Sequence, residues 1–408
     1  MIFMLLIGSH APLTSKMLFL AHRLFAWRPG AYLRASARLL GWLLVRAAAQ
    51  ATIVLLLTRT LGADGYGQFV AILAVASFFA PLAGLGLGSV LLCDGARHSE
   101  RLPELLGDTL ALWWRSTAIF ALAAIGISLW LLPTGIHVTA VLVFTVSEVT
   151  SSSLSELVAR IEQSQHQTQH FGAILSGLIL VRLMALAGYT LLMPHDVNGW
   201  LWIYAGSSGL YVLALWVWVQ MRWRPTRSKA LAIHLVREGW PFTVGALSLR
   251  LQAEFNKPVL AQLGYAQVGH FSVAQRVVDL ASLPLQAMQE ALWSRLFASS
   301  TPRRRLWLTG GALVTLALFS GGVLTWLSPW IPRIFGAGFE GTVEILLALA
   351  WLPAVQVVRN LASAAVIARG QRAFFNPNLY RQRYRQRCLQ RPVSTAFWFI
   401  RCALVHLS

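Results

Sequence analysis

Leu56-Leu57-Thr58-Arg59-Thr60-Leu61-Gly62-Ala63-Asp64-Gly65-Tyr66-Gly67-Gln68-Phe69 interrupts two long apolar runs with a short, glycine-rich turn. Part of it returns farther on: Leu61-Gly62-x4-Gly67-x-Phe69 recurs as Leu263-Gly264-x4-Gly269-x-Phe271, an offset of 202 residues. The same offset carries the apolar runs 39–61, 67–92, 109–132 and 136–160 onto 241–263, 269–294, 311–334 and 338–362. Each target falls on a run that reads as a span on its own: 239–262, 268–296, 306–330 and 340–366. With 171–193 and 198–221 completing the first half, the chain reads as ten spans. An even number of crossings per unit starts both halves on the same side, so the repeat is parallel and its axis lies along the membrane normal.

Composition agrees. Of 408 residues, 56% are apolar and only 12% charged, against roughly a quarter charged in soluble domains. That excludes a soluble globular or disordered chain, and runs of about 20 apolar residues match a hydrocarbon core about 30 Å thick. Breaks fall at turn residues: Gly62 to Gly65, Pro133-Thr134-Gly135, Pro194-His195-Asp196 and Pro329 to Gly338. Span 136–160 is rich in Ser, Thr and Glu and is expected to face protein or water rather than acyl chains.

The net charge of +19 is a matter of sidedness. Alternate junctions hold the Lys and Arg, with five in 222–238, four in 295–305 and seven in 367–391, whereas the other junctions hold only Arg59 and Arg333. The positive-inside rule then puts both termini in the cytoplasm. Tryptophans are read as interfacial anchors: Trp113, Trp114, Trp216, Trp218, Trp240, Trp293 and Trp307 at inner ends, Trp130, Trp200, Trp202, Trp326 and Trp330 at outer ends. No nucleic-acid partner is expected. MIFMLLIG has no basic residue before it, so no signal peptide is expected.

The chain therefore divides into a cytoplasmic N-terminal segment 1–38, a first six-helix bundle 39–221, a basic linker 222–238, a second bundle 239–372 with four spans, and a tail 373–408. The expected class is an all-α polytopic membrane protein: two parallel-repeat helical bundles around a central cavity, the second incomplete. The offset calls for two more spans, but 373–392 reads AFFNPNLYRQRYRQRCLQRP. A reading-frame slip or a truncated gene is the favoured explanation, and a basic tail on anionic head groups the alternative.

Signatures of chemistry are few. There is no GxxxxGK[ST], HExxH or GxSxG, and Cys93, Cys388 and Cys402 have neither disulfide nor zinc spacing. No metal, cofactor or catalytic residue is expected. Gly84-Leu85-Gly86-Leu87-Gly88 reads as small residues permitting close helix packing. The informative residues are cations within spans: Arg46, Arg182, Arg250, Lys257, Arg276 and Arg359. Each costs about 2.5–3.5 kcal/mol at a helix centre on the insertion scale, so each needs a cavity or a partner. Arg250 and Lys257 flank Glu254, and Arg276 precedes Asp279 by three, so local ion pairs compete with a binding role. Arg182 has no acid within four residues, and Arg46 has Gln50 one turn on. Such a set suits an anion, since arginine forks match phosphate oxygens.

The opening Leu56–Phe69, the span ending Leu85-Gly86-Leu87-Gly88-Ser89, and Gly269-His270-Phe271-Ser272-Val273-Ala274 with Leu283-Pro284-Leu285-Gln286 resemble the polysaccharide-transporter flippases of the multidrug/oligosaccharidyl-lipid/polysaccharide exporter superfamily. The resemblance covers about residues 36–372. It implies twelve or fourteen helices, alternating access in a bacterial inner membrane, and a lipid-linked oligosaccharide whose undecaprenyl pyrophosphate is held by Arg46, Arg182, Arg250, Lys257 and Arg276. Gly62, Gly67, Gly264 and Gly269 would cap the outer hairpins and act as pivots. Membrane lipids and a glycan polymerase machinery are the expected partners. Where that family commonly has an acid before a base in the seventh helix, this chain has Asn256-Lys257. The alternatives are a cation-coupled drug exporter relying on Glu148 or Asp279, a membrane polymerase, ligase or acyltransferase, and an inactive remnant.

Overall fold

The computed structural model describes residues 31–133, 135–192, 196–226, 233–297 and 302–362. Residues 1–30 of the N-terminal segment, 227–232 of the linker, and the tail 373–408 with the residues leading into it lie outside them. Among the described residues every regular element is helical. The first half comprises α1 (Ala31–Gly84), α2 (Leu87–Arg97), α3 (Leu102–Leu131), α4 (Val138–Ser164), α5 (Thr168–Leu192) and α6 (Val197–Trp223). The second comprises α7 (Ile233–Glu254), α8 (Asn256–Ala261), α9 (Tyr265–Phe297), α10 (Pro302–Leu327), α11 (Ile331–Phe335) and α12 (Gly341–Leu349).

Local chemistry sets the ends. Gly62 joins the two arms of α1 at φ 69°, ψ −173°, and its repeat Gly264, between α8 and α9, has φ 125°. Both are conformations in which a Cβ would be strained. Pro103 sits in the first turn of α3, where its missing N–H goes unneeded. Asp196 caps α6 by accepting from the Gly199 N–H at 3.4 Å.

Among the described residues, seven helical stretches are long and apolar enough to cross a membrane, and the first of them, Arg38–Arg97, contains both arms of α1. The other two expected spans are not among these stretches: α7–α8 carries Arg250, Glu254 and Lys257, and α9 carries Arg276 and Asp279. The seventh is also broken, with α7 ending at Glu254 and α8 starting at Asn256. The second span breaks at Leu85 and Gly86, with φ 46° and 63°.

One apolar core joins the halves, with Leu57, Tyr66, Phe69, Phe144 and Tyr204 meeting Val268, Val273, Phe335 and Phe339. A second fills the first half around Leu87, Leu102, Trp113, Leu157 and Val219. Two assigned interfacial tryptophans belong to these cores instead. Trp113 and Trp200 are fully buried, and the Trp113 indole N–H donates to Ser153 Oγ at 2.9 Å. Buried indoles usually find such a partner; the Trp200 indole N–H has none among the described residues and is held by the rings of Phe69, Tyr189 and Tyr204 around it. Trp114, Trp130 and Trp326 are exposed, as anchors should be. Glu162, fully buried, ties three helices together through His170 at 2.9 Å, Arg222 at 3.3 Å and the Trp223 indole at 3.1 Å.

Candidate functional site: a cation-lined cavity between the repeats

The two glycine motifs meet. A Cβ on Gly67 would lie 1.8 Å from the Tyr265 carbonyl oxygen, and one on Gly269 would lie 2.2 Å from the Ala63 carbonyl oxygen. Each contact maps onto the other by the 202-residue offset, so the hairpins cross at a pseudo-two-fold axis with backbone on backbone. Hydrogen bonds between the halves surround this crossing: Tyr265 Oη donates to the Pro133 carbonyl at 2.6 Å, Arg59 Nε to the Ile334 carbonyl at 2.9 Å, and Gln262 to the Leu131 carbonyl. At the opposite end of α1 a Cβ on Gly86 would lie 2.1 Å from the Gly239 carbonyl oxygen. The Gly84–Gly88 run thus permits a close helix approach between the two halves.

Between these contacts lies a cavity of about 380 Å3. Arg46, Arg182, Arg250, Lys257 and Arg276 all line it, drawn from α1, α5, α7, α8 and α9. With Arg160 they make six cations, against the carboxylates of Glu148, Glu156 and Glu254 on the same walls. Arg359 is not among them; it is exposed and donates to Asn360 at 3.4 Å.

The five cations stand in different states. Arg182, without an acid on its own helix, is paired across helices: Nη2 lies 2.7 Å from Glu148 Oε2, and both side chains are 6% exposed. Arg182 also donates to Ser151 Oγ at 2.8 Å and Ser208 Oγ at 2.9 Å, and stacks 4.2 Å from the Tyr204 ring centroid. Glu148 is saturated in turn by Tyr204 Oη at 2.6 Å and Ser152 Oγ at 2.7 Å. Such a pair is satisfied without any ligand. Sequence reasoning missed it because it searched one helix at a time; the polar stripe on span 136–160 was the available signal.

Lys257 is buried and paired with Glu254, as its spacing of three allows. The other two local pairs do not form: among the described residues Arg250 makes no ion pair with Glu254, nor Arg276 with Asp279. Glu254 is already engaged by Lys257. Arg276 instead shares the cavity wall with Tyr66. Arg46, in the first half, lines the cavity together with Arg250 in the second, and Glu156 lines it as well. Among the described residues, the cavity cations without an ion pair are therefore Arg46, Arg250 and Arg276, and they are drawn from both repeats.

Two glycine-joined helical repeats around a cavity whose cations outnumber its acids define a polytopic membrane protein of transporter architecture. The chain belongs to the family described as polysaccharide biosynthesis protein, which matches residues 36–292. In fold it is similar to the inward-facing conformation of a multidrug resistance MATE family transporter of the MOP superfamily, at 17% identity, 79% of either chain and a TM-score of 0.55. It is likewise similar to a ligand complex of the MATE multidrug transporter DinF-BH, at 16% identity, 83% of either chain and a TM-score of 0.53. Among curated protein sequences none matches.

Proposed function

We propose that this chain translocates a lipid-linked oligosaccharide, carried on undecaprenyl pyrophosphate, across the bacterial inner membrane by alternating access. One observation carries the reading: a single cavity gathers Arg46, Arg250 and Arg276 from both repeats, and among the described residues none of the three makes an ion pair, the cavity's carboxylates Glu148, Glu156 and Glu254 being paired with Arg182, Arg160 and Lys257. A pyrophosphate is small, multiply charged and rich in acceptors, so arginines on opposite walls can hold it together. Arg182 and Lys257 contribute positive potential while Glu148 and Glu254 hold them in place. The bundles 39–221 and 239–372 would rock about the crossing at Gly67 and Gly269, with Gly62 and Gly264 as pivots. The basic junctions would face the cytoplasm. The chain performs no covalent chemistry in this scheme. A drug-cation exporter would require free acids in the cavity, and here Glu148 is saturated by its neighbours, Glu254 is paired with Lys257 and Glu156 with Arg160 at 3.7 Å.

The test is a proteoliposome assay that follows undecaprenyl pyrophosphate bearing one fluorescent sugar from the inner to the outer leaflet. Arg46→Ala with Arg250→Ala should abolish the flow while leaving membrane insertion intact. Undiminished flow in the double variant removes these arginines from the site, and no flow in the parent chain overturns the reading.

A further inference from the structure

Buried polar atoms are almost always hydrogen-bonded, and exceptions call for a partner that the protein does not supply. Among the described residues, nine buried side-chain polar atoms lack one. Three of them, Ser155 Oγ, Arg160 Nε and Ser272 Oγ, line the cation-lined cavity. Ser155 is 3% exposed and Ser272 2%. Ser272 stands one turn from Arg276 on α9 and belongs with the anion. Ser155 and Arg160 lie elsewhere, on the stripe of α4 that runs from Glu148 through Ser152, Ser155 and Glu156 to Arg160. That stripe spans about 18 Å at 1.5 Å per residue. One end is occupied by the Glu148–Arg182 pair. The other holds Ser155 and Arg160, the latter's Nη atoms engaged by Glu156 at 3.7 Å and Gln163 at 3.0 Å while its Nε is left over, with the Phe171 ring 5.9 Å from the guanidinium; Gln50, one turn beyond Arg46 on α1, lines the same cavity.

We propose that Ser155, Gln50 and Arg160 form a carbohydrate subsite that receives the sugar next to the pyrophosphate, with Phe171 as its apolar wall. The proposal rests on the flippase reading and adds to it which part of the substrate is read, and where. Phosphate oxygens only accept hydrogen bonds, whereas a hydroxyl and a carboxamide both donate and accept. A sugar bearing hydroxyl or acetamido groups uses both capacities, and the C–H face of its ring suits Phe171. Arg46 and Gln50, one turn apart on α1, line the cavity together with Ser155 on α4, a helix that packs against α1. A pyrophosphate on Arg46 therefore has its first sugar beside Ser155.

The full chain, purified in detergent, would be titrated with undecaprenyl pyrophosphate, bare and bearing one N-acetylglucosamine, and binding read by native mass spectrometry. The parent chain should prefer the sugar-bearing anchor. Ser155→Ala should lower affinity for that anchor about three- to tenfold, the worth of a hydrogen bond or so, and Gln50→Leu should do likewise, with the bare anchor unmoved. Ser155→Thr, which keeps the hydroxyl, should restore the preference. Arg46→Ala should weaken both anchors. If the parent binds both anchors equally, or Ser155→Ala weakens both alike, the subsite is overturned while the flippase reading stands. If the parent binds neither, the flippase reading itself falls and the subsite with it.

Discussion

At the scale of single residues, the Glu148–Arg182 pair decides how the first half is held. Both groups are buried, and every partner is supplied by α4, α5 and α6. Glu148→Ala leaves a buried guanidinium uncompensated and should lower stability by about 3–5 kcal/mol, read as the loss of thermal unfolding temperature in detergent. Glu148→Leu combined with Arg182→Met removes both charges and should recover most of that loss. If the double variant still translocates substrate, Arg182 is a structural cation and not a ligand. Arg182 as an intramembrane cation was legible in the sequence; its partner, 34 positions away on another helix, was not. Only the packing of α4 on α5 brings them together.

At the scale of elements, the crossing of the glycine hairpins controls how closely the repeats approach. Gly67→Ala places a methyl group 1.8 Å from the Tyr265 carbonyl oxygen, so backbone must move. The expected loss is about 1–3 kcal/mol of stability, as for other overpacked sites, accompanied by a failure to close that end of the cavity. Gly269→Ala should behave in the same way, because its contact is the repeat of the first. Gly206→Ala in α6 is the control: its Cβ meets nothing within 4 Å, and the helix should gain about 0.5–1 kcal/mol. Unfolding measurements on the three variants separate crowding from a general intolerance of added methyls. The motif and its spacing were readable along the chain, and that its two copies touch each other was not.

At the scale of the molecule, the two halves are joined near Gly67 by hydrogen bonds from side chains of one half to carbonyls of the other, which in the alternating-access scheme would hold that end of the cavity shut. None of the three is an ion pair. Tyr265→Phe removes the 2.6 Å bond to Pro133 and leaves the ring in place. One bond is worth about 0.5–1.5 kcal/mol, so the population open at that end should rise about two- to tenfold. In a background without native cysteines, Ser77→Cys on the cavity wall should then react correspondingly faster with a membrane-impermeant maleimide added from that side. An unchanged rate means that Tyr265 does not hold the gate.

The sequence by itself determined the all-helical membrane class, the parallel repeat at an offset of 202 and the identity of the intramembrane cations. These depend on hydropathy, turn residues and spacing, which are properties of neighbours along the chain. Tertiary structure decided which cavity cations find an ion-pair partner. Arg182 finds Glu148 on another helix, Lys257 takes Glu254 away from Arg250, and Arg46 and Arg250 line one cavity from different repeats. It also decided that Trp113 and Trp200 fill the core rather than meet the interface. Charge compensation and burial depend on distances between helices, and within about four residues of a position the chain carries no record of them.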